Sequence, residues 1–292
     1  MKNKMIPFIA KQSPLELSNI VLLQAPYEHT VSYLKGTSNG PKAILEASPN
    51  LEFFDHELGI DTEELNIHTS EEFDRDLDLE NAIKTIYIKS KELLAKDKFL
   101  ILLGGEHSVS YPIIKAHSEK YDNLSVLQID AHADLRDSYE GSLYNHACVM
   151  RRVLDLGLKT CQIGIRNMSR EEYDLIRNRN LTVYNASLFE NNSRTEEEAL
   201  VKDIVSNLTD NVYITIDVDG LDPSIMPATG TPEPNGLKWH QVMNIFKETY
   251  RSRRVVGADI VELSPRANLE FSDFIAAKLL LKLINYKVAY QS

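Results

Sequence analysis

Short apolar runs alternate along this chain with longer stretches in which apolar positions recur every three or four residues. Residues 20–23 form the first strand candidate. Gly40-Pro41 then opens a helix, the proline standing near the first turn, where its missing N–H is tolerated. Residues 79–96 are apolar at 79, 82, 83, 86, 87, 93 and 94, which share one helical face. They lead into 99–103, apolar at every position, the pattern of a central strand covered on both faces. The same alternation predicts helices over 108–120, 146–156, 170–178, 195–207, 238–250 and 272–287. It predicts strands over 124–129, 160–165, 181–184, 212–216 and 254–261. Repeated strand–helix units imply an α/β fold with a mostly parallel sheet and right-handed crossovers. No linker, repeat or low-complexity tract interrupts the pattern, and the polar stretch 190–198 reads as a loop and a solvated helix start. A single domain over residues 1–292 is therefore expected.

In open α/β sheets ligands bind beyond the carboxyl ends of the strands. Gly104-Gly105-Glu106-His107-Ser108 follows the strand 99–103, and Asp130-Ala131-His132-Ala133-Asp134 follows 124–129. Asp217-Val218-Asp219-Gly220-Leu221-Asp222-Pro223 follows 212–216, and Glu262 follows the strand that starts at 254. Acids and histidines are thus delivered to one edge of the sheet from four strands. Asp130, His132 and Asp134 are spaced two apart, as are Asp217 and Asp219, so each set can converge where its strand ends. Four aspartates together without counter-charge are very costly, and Arg136 is the sole cation close by in sequence. A pair of divalent metal ions removes that cost, and a carboxylate–imidazole donor set favours ions such as Mn²⁺ over a thiolate zinc site.

Composition narrows the partners. With 43 Asp+Glu against 32 Lys+Arg the formal net charge is −11, which argues against nucleic acid or an anionic membrane surface. Cys148 and Cys161 form no CxxC pair or disulfide framework, as suits a reducing compartment. The apolar stretch 5–10 is short for a signal peptide, and no window approaches the ~20 apolar residues of a membrane span. A cytoplasmic location is expected.

GGEHS, DAHAD and DVDGLDP resemble the signatures of the ureohydrolase family, which includes arginase, agmatinase, guanidinobutyrase and formimidoylglutamase. The likeness runs from Gly36-Thr37-Ser38-Asn39-Gly40-Pro41 to Glu262-Leu263-Ser264-Pro265. It implies a three-layer α/β/α domain with a parallel sheet of about eight strands, a dimanganese site and assembly into trimers or hexamers. By resemblance, His107 and Asp134 match ligands of one Mn²⁺, His132 and Asp219 match ligands of the other, and Asp130 and Asp217 match bridging carboxylates. His146 matches the active-site histidine that is not a ligand, and Glu262 matches the acid that holds the guanidinium. The implied chemistry is attack of a metal-bridging hydroxide on the guanidinium carbon. Asp134 takes or relays a proton, and His146 passes one to the leaving amine.

Arginase-like enzymes grip the amino-acid end of their substrate with an Asn two residues after the DAHxD motif; here Leu135-Arg136 follow instead. The run DLRDSYEGSLYNHACVMRR and the segment TGTPEPNGL are similar to agmatinase. The expected substrate is the small cationic guanidine agmatine, cleaved to putrescine and urea as in polyamine biosynthesis. Guanidinobutyrase or arginase activity is the alternative, followed by a non-catalytic metal-binding relative. Ser38 and Ala228 depart from residues common in agmatinases and leave chain-length specificity open. Glu140 is a candidate for a distal ammonium, set against an exposed loop role, and Arg136 is a candidate partner for a carboxylate substrate such as 4-guanidinobutyrate, set against the favoured pairing with Asp137 or Glu140. His29, His56, His68, His117 and His240 have no ligand company in the sequence and are read as surface or packing residues. No GxGxxG or GxxxxGK[ST] loop supports a nucleotide-binding alternative.

Overall fold

The computed structural model describes residues 5–291. Its strands are β1 (Ile20–Ala25), β2 (Phe54–Asp55), β3 (Ile60–Asp61), β4 (Ile67–Glu72), β5 (Phe99–Gly104), β6 (Leu124–Ile129), β7 (Lys159–Ile165), β8 (Thr182–Asn185), β9 (Asn211–Asp217) and β10 (Arg254–Val261). Its helices are α1 (Gly40–Ala47), α2 (Leu79–Leu94), α3 (Ser110–Ser118), α4 (Val149–Asp155), α5 (Arg170–Arg179), α6 (Arg194–Ser206), α7 (Trp239–Ser252) and α8 (Phe271–Gln291). Eight strands form one sheet in the order β4-β1-β5-β10-β9-β6-β7-β8, and every neighbouring pair is parallel. This is the expected α/β/α architecture.

Alternation along each strand divides the core into two layers. Leu22, Ile101, Leu103, Leu127 and Ile214 face α1, α6, α7 and α8. Val21, Leu23, Leu100, Leu102 and Val126 face α2, α3 and α4, with Leu175 and Ile176 of α5 packed against the same layer. Burial of both faces explains why β1, β5 and β6 are apolar apart from Gln24, Ser125 and Gln128.

The pattern does not predict β4, and one expected helix needs correction. The edge strand β4 has the sequence IHTSEE, with Ile67 and Thr69 buried and Glu71 exposed; an edge needs one apolar face only, so its pattern resembles a loop. The helix expected over 146–156 begins as a 3-10 turn, His146–Cys148, and becomes α-helical at Val149. The 3-10 turn His107–Val109 likewise precedes α3, whose Pro112 sits in the first turn. Both turns set a histidine at the sheet edge rather than on a helix flank. Among the described residues, no helix is long and apolar enough to cross a membrane.

Strand order brings the acid-bearing ends together. β5, β10, β9 and β6 are contiguous at the centre of the sheet. Register pairs Ile129 with Ile216, and Val261 with Asp217. Asp130, just past β6, therefore stands level with Asp217, the last residue of β9, and Glu262 follows one residue further along.

Candidate metal centre

The two Asp-x-Asp/His turns are built by one local device. Asp130 Oδ1 accepts a hydrogen bond from the His132 N–H at 2.6 Å, and Asp217 Oδ1 accepts from the Asp219 N–H at 2.8 Å. Such a turn, in which a side chain captures the N–H two residues on, curls the backbone and aims residues i and i+2 at a common point. Asp219 Oδ1 in turn accepts from the Ala131 N–H at 3.0 Å, which ties the two turns together. Asp134 and Glu262 both lie in the left-handed region, with φ of 53° and 64°. That conformation is unfavourable for a non-glycine residue and persists where surrounding structure enforces it. The Asp134 carbonyl accepts from the Met150 and Arg151 N–H groups, and the Glu262 N–H donates to the Gly105 carbonyl at 2.8 Å.

Two groups of ligand atoms result. His107, Asp130 and Asp217 form one, and Asp130, His132 and Asp219 the other, so Asp130 belongs to both. His107 Nδ1 lies 3.1 Å from Asp130 Oδ2, 3.1 Å from Asp134 Oδ2 and 3.6 Å from Asp217 Oδ2. His132 Nδ1 lies 3.0 Å from Asp219 Oδ2 and 3.7 Å from Asp130 Oδ1. The structure thus brings together all six residues expected to hold metal.

Their electrostatics fit a divalent cation pair. Burial pushes the Asp134 carboxyl up to about 7, with the Asp130 charge adding to it. Burial, then Asp219, Asp130 and Glu262, raise Asp217 well above the usual carboxylate range. For His132, burial opposes the charge, but hydrogen bonds to Asp130 and Asp219 outweigh it and raise the imidazole to about 12. In a metal-free protein, protons must supply the positive charge that these carboxylates require. His107 tests the fit directly. Its Nε2 lies 2.9 Å from Thr215 Oγ1, and the Thr215 hydroxyl donates to Asp259 Oδ1 at 2.7 Å. Nε2 therefore donates, and the buried Nδ1, which has no hydrogen-bond partner, is the nitrogen left to meet a metal.

Sequence reasoning missed the groups that orient these ligands. Buried Gln162 donates to Gln128 Oε1 at 2.5 Å, and Gln128 donates to Asp130 Oδ2 at 2.6 Å. Glutamines within apolar strands are the sole sequence signal for this chain of amides. Glu172 was missed because it reads as the end of a helix capping box, Ser169-x-x-Glu172, which it also is.

The cluster opens into a cavity of about 210 Å³, whose wall includes His146, Glu262, Glu172, Ser32 and Thr231. Glu262 is held by the His107 N–H, which donates to its Oε1 at 2.7 Å. Burial raises its carboxyl, and Glu106 adds to the rise. Burial lowers the His146 imidazole below its ordinary value. Glu140 is exposed and lies outside the cavity wall, as its loop role required. Arg136 does not make the favoured pairing: it lines the cavity and stacks over Tyr139, 4.7 Å from the ring centre, while Asp137 pairs with Arg151 and Arg152. Among the histidines set aside, His117 is a neutral core residue whose burial lowers its pKa to about 4.

Comparison with known proteins agrees with this geometry. A family model described as "Arginase family" matches residues 18–285. The chain is 41% identical over 274 residues to the N(1)-aminopropylagmatine ureohydrolase of Synechocystis sp., covering 91% of this chain and 88% of that protein. It is 36% identical over 269 residues to the agmatinase of Pyrococcus horikoshii, covering 91% of each. The crystal structure of the agmatine ureohydrolase of Thermoplasma volcanium matches with a TM-score of 0.86 at 33% identity, over 95% of this chain and 92% of that one. Shared fold, coverage and metal-type cluster lead to one conclusion: the chain belongs to the arginase family of ureohydrolases.

Proposed function

We propose that the chain hydrolyses the guanidinium group of agmatine to putrescine and urea with two Mn²⁺ ions bound at the cluster. The observation that carries this reading is the cavity wall, where Glu262 and His146 join the ligand carboxylates around one small space. When bound, the ions neutralise the carboxylates and make hydroxide available from water near neutral pH. His107, Asp130, Asp134, His132, Asp217 and Asp219 hold them. Glu262 pairs with the planar guanidinium and fixes the angle at which its carbon is attacked. Asp134 takes the proton of the attacking water, and His146 delivers one to the leaving nitrogen. Glu172 supplies a further carboxylate in the wall for the distal ammonium, and the acidic surface draws in a cation. The protein acts in the cytoplasm as a homo-oligomer of three or six subunits.

A second reading has its own support. The Synechocystis relative, at 41% identity, is named for N(1)-aminopropylagmatine, and Tyr33 at the cavity wall is 72% exposed, which leaves the mouth open to a longer chain. Turnover of agmatine, N(1)-aminopropylagmatine, 4-guanidinobutyrate and arginine by the Mn²⁺-loaded protein, ranked by kcat/KM, tests both. Agmatine ranks first if the main reading holds. Normal turnover by fully demetallated protein overturns the metal mechanism.

A further inference from the structure

The first part of the segment between β1 and α1 is tied to one buried carboxylate. The Gly105 N–H donates to the Ala25 carbonyl at 2.8 Å and the Glu106 N–H to the Tyr27 carbonyl at 2.9 Å. A Cβ at Gly105 would lie 2.0 Å from the Tyr27 carbonyl oxygen, so this close approach requires glycine. Glu106, fully buried, then accepts four hydrogen bonds. They come from the His29 and Thr30 N–H groups at 2.6 Å each, the Thr30 hydroxyl at 3.0 Å and the Ser108 hydroxyl at 2.5 Å.

Thr30 carries this anchor to His146. Its Oγ1 lies 3.0 Å from His146 Nδ1 and accepts the His146 backbone N–H at 3.0 Å. A hydroxyl has one proton and two lone pairs. Glu106 accepts and offers no proton, so the Thr30 proton goes to it. The remaining lone pair faces Nδ1, which must then be the protonated nitrogen. Nε2, 3.3 Å from the Ser32 hydroxyl in the cavity wall, is left as the acceptor.

We propose that Thr30, anchored by Glu106, is a positioning residue that fixes neutral His146 with its proton on Nδ1 and presents Nε2 for proton exchange. This rests on the reading of His146 as the group that protonates the leaving nitrogen. In that step Nε2 first takes, by way of Asp134, the proton released from the attacking water. As the guanidinium C–N bond breaks, its electron pair stays on nitrogen and takes that proton from Nε2, while the Nδ1 proton remains on Nδ1, hydrogen-bonded to Thr30 Oγ1. With the other tautomer, Nε2 carries the proton at the outset and has no lone pair to begin the exchange.

The test compares wild type, Thr30→Val and Thr30→Ser as full-length, metal-loaded protein. Val keeps the shape and removes the hydroxyl; Ser keeps the hydroxyl. Thr30→Val is expected to retain metal and KM and to lower kcat about 100-fold, as for a misplaced catalytic group. Thr30→Ser restores most of the rate. Nitrogen-15 spectra of the zinc-loaded protein, with the His146 signal identified by His146→Asn, should show protonated Nδ1 in wild type and Thr30→Ser but not in Thr30→Val. An unchanged kcat in Thr30→Val, a Thr30→Ser variant as slow as Thr30→Val, or a proton on Nε2 in wild type overturns the proposal. If wild type hydrolyses no guanidine, the functional reading fails instead, and the nitrogen spectra alone decide the role of Thr30.

Discussion

Two buried carboxylate sites in this molecule have opposite electrostatics. Asp55, on β2, is 4% exposed and meets Lys282 of α8 at 2.8 Å, with the Glu57 N–H donating to its other oxygen at 3.1 Å. Burial alone would raise its pKa, but Lys282 and the other hydrogen bonds hold it below the ordinary value. Lys282 also reaches Glu57 at 3.1 Å, and Lys247 completes the group. At the carboxyl edge of the sheet, Asp134 and Asp217 are as deeply buried, and their carboxyls are pushed up instead. No lysine or arginine pairs with either of them among the described residues. The two sites separate a structural carboxylate from a working one. A structural site carries its counter-ion on the same chain, whereas a metal site leaves the charge unbalanced for an external cation to complete.

Four experiments test this contrast. The largest effect is expected at the proposed metal ligands: Asp219→Ala should weaken metal binding at least ~100-fold and abolish turnover. His146→Ala should keep its metal and slow turnover by about 10²–10⁴. Metal analysis beside urea release separates the two, and equal metal loss in both variants contradicts the division of roles. Next, Lys282→Met strands Asp55 without its cation and should cost about 3 kcal/mol in denaturant unfolding, with metal content unchanged. Third, Asp217→Asn removes one of the crowded charges and should stabilise the metal-free protein by about 1–2 kcal/mol while it weakens metal binding. A destabilised apo-variant would show that the cluster is balanced without metal.

The smallest effect is in pH. Asp134 titrates near 7 in the folded, metal-free protein and near ~4 unfolded, so the folded state binds more protons between these values. This group's contribution to metal-free stability therefore declines as pH rises from about 4 to 7. Metal must also displace the His132 proton, held up to about 12. The rise in Tm produced by metal should consequently be larger at pH 8 than at pH 6. A metal effect independent of pH would rule out proton displacement.

The parts legible in the sequence are those that local spacing controls. Apolar runs covered on both faces revealed β5 and β6, while β4, polar on its outer face, gives no such run. The Asp-x-His and Asp-x-Asp turns were legible because the capturing oxygen and the captured N–H are two residues apart. Thr30 and His146 lie 116 residues apart, and Thr30 and Glu106 lie 76 apart, so no short window along the chain contains either pair. The pairing favoured for Arg136 failed for a related reason. Its sequence neighbour Asp137 turns to α4, where Arg151 and Arg152 claim it.

Residue order alone thus specified an α/β chain that brings acids and histidines to strand ends, because side-chain periodicity and turn chemistry act over a few residues. The remainder came from long-range assembly. Insertion of β10 between β5 and β9 placed Glu262 beside ligands from distant segments. Assembly also selected which buried acid receives a lysine and which is left unbalanced. Charge interactions depend on distance and burial in space, and those are settled only when the sheet is assembled.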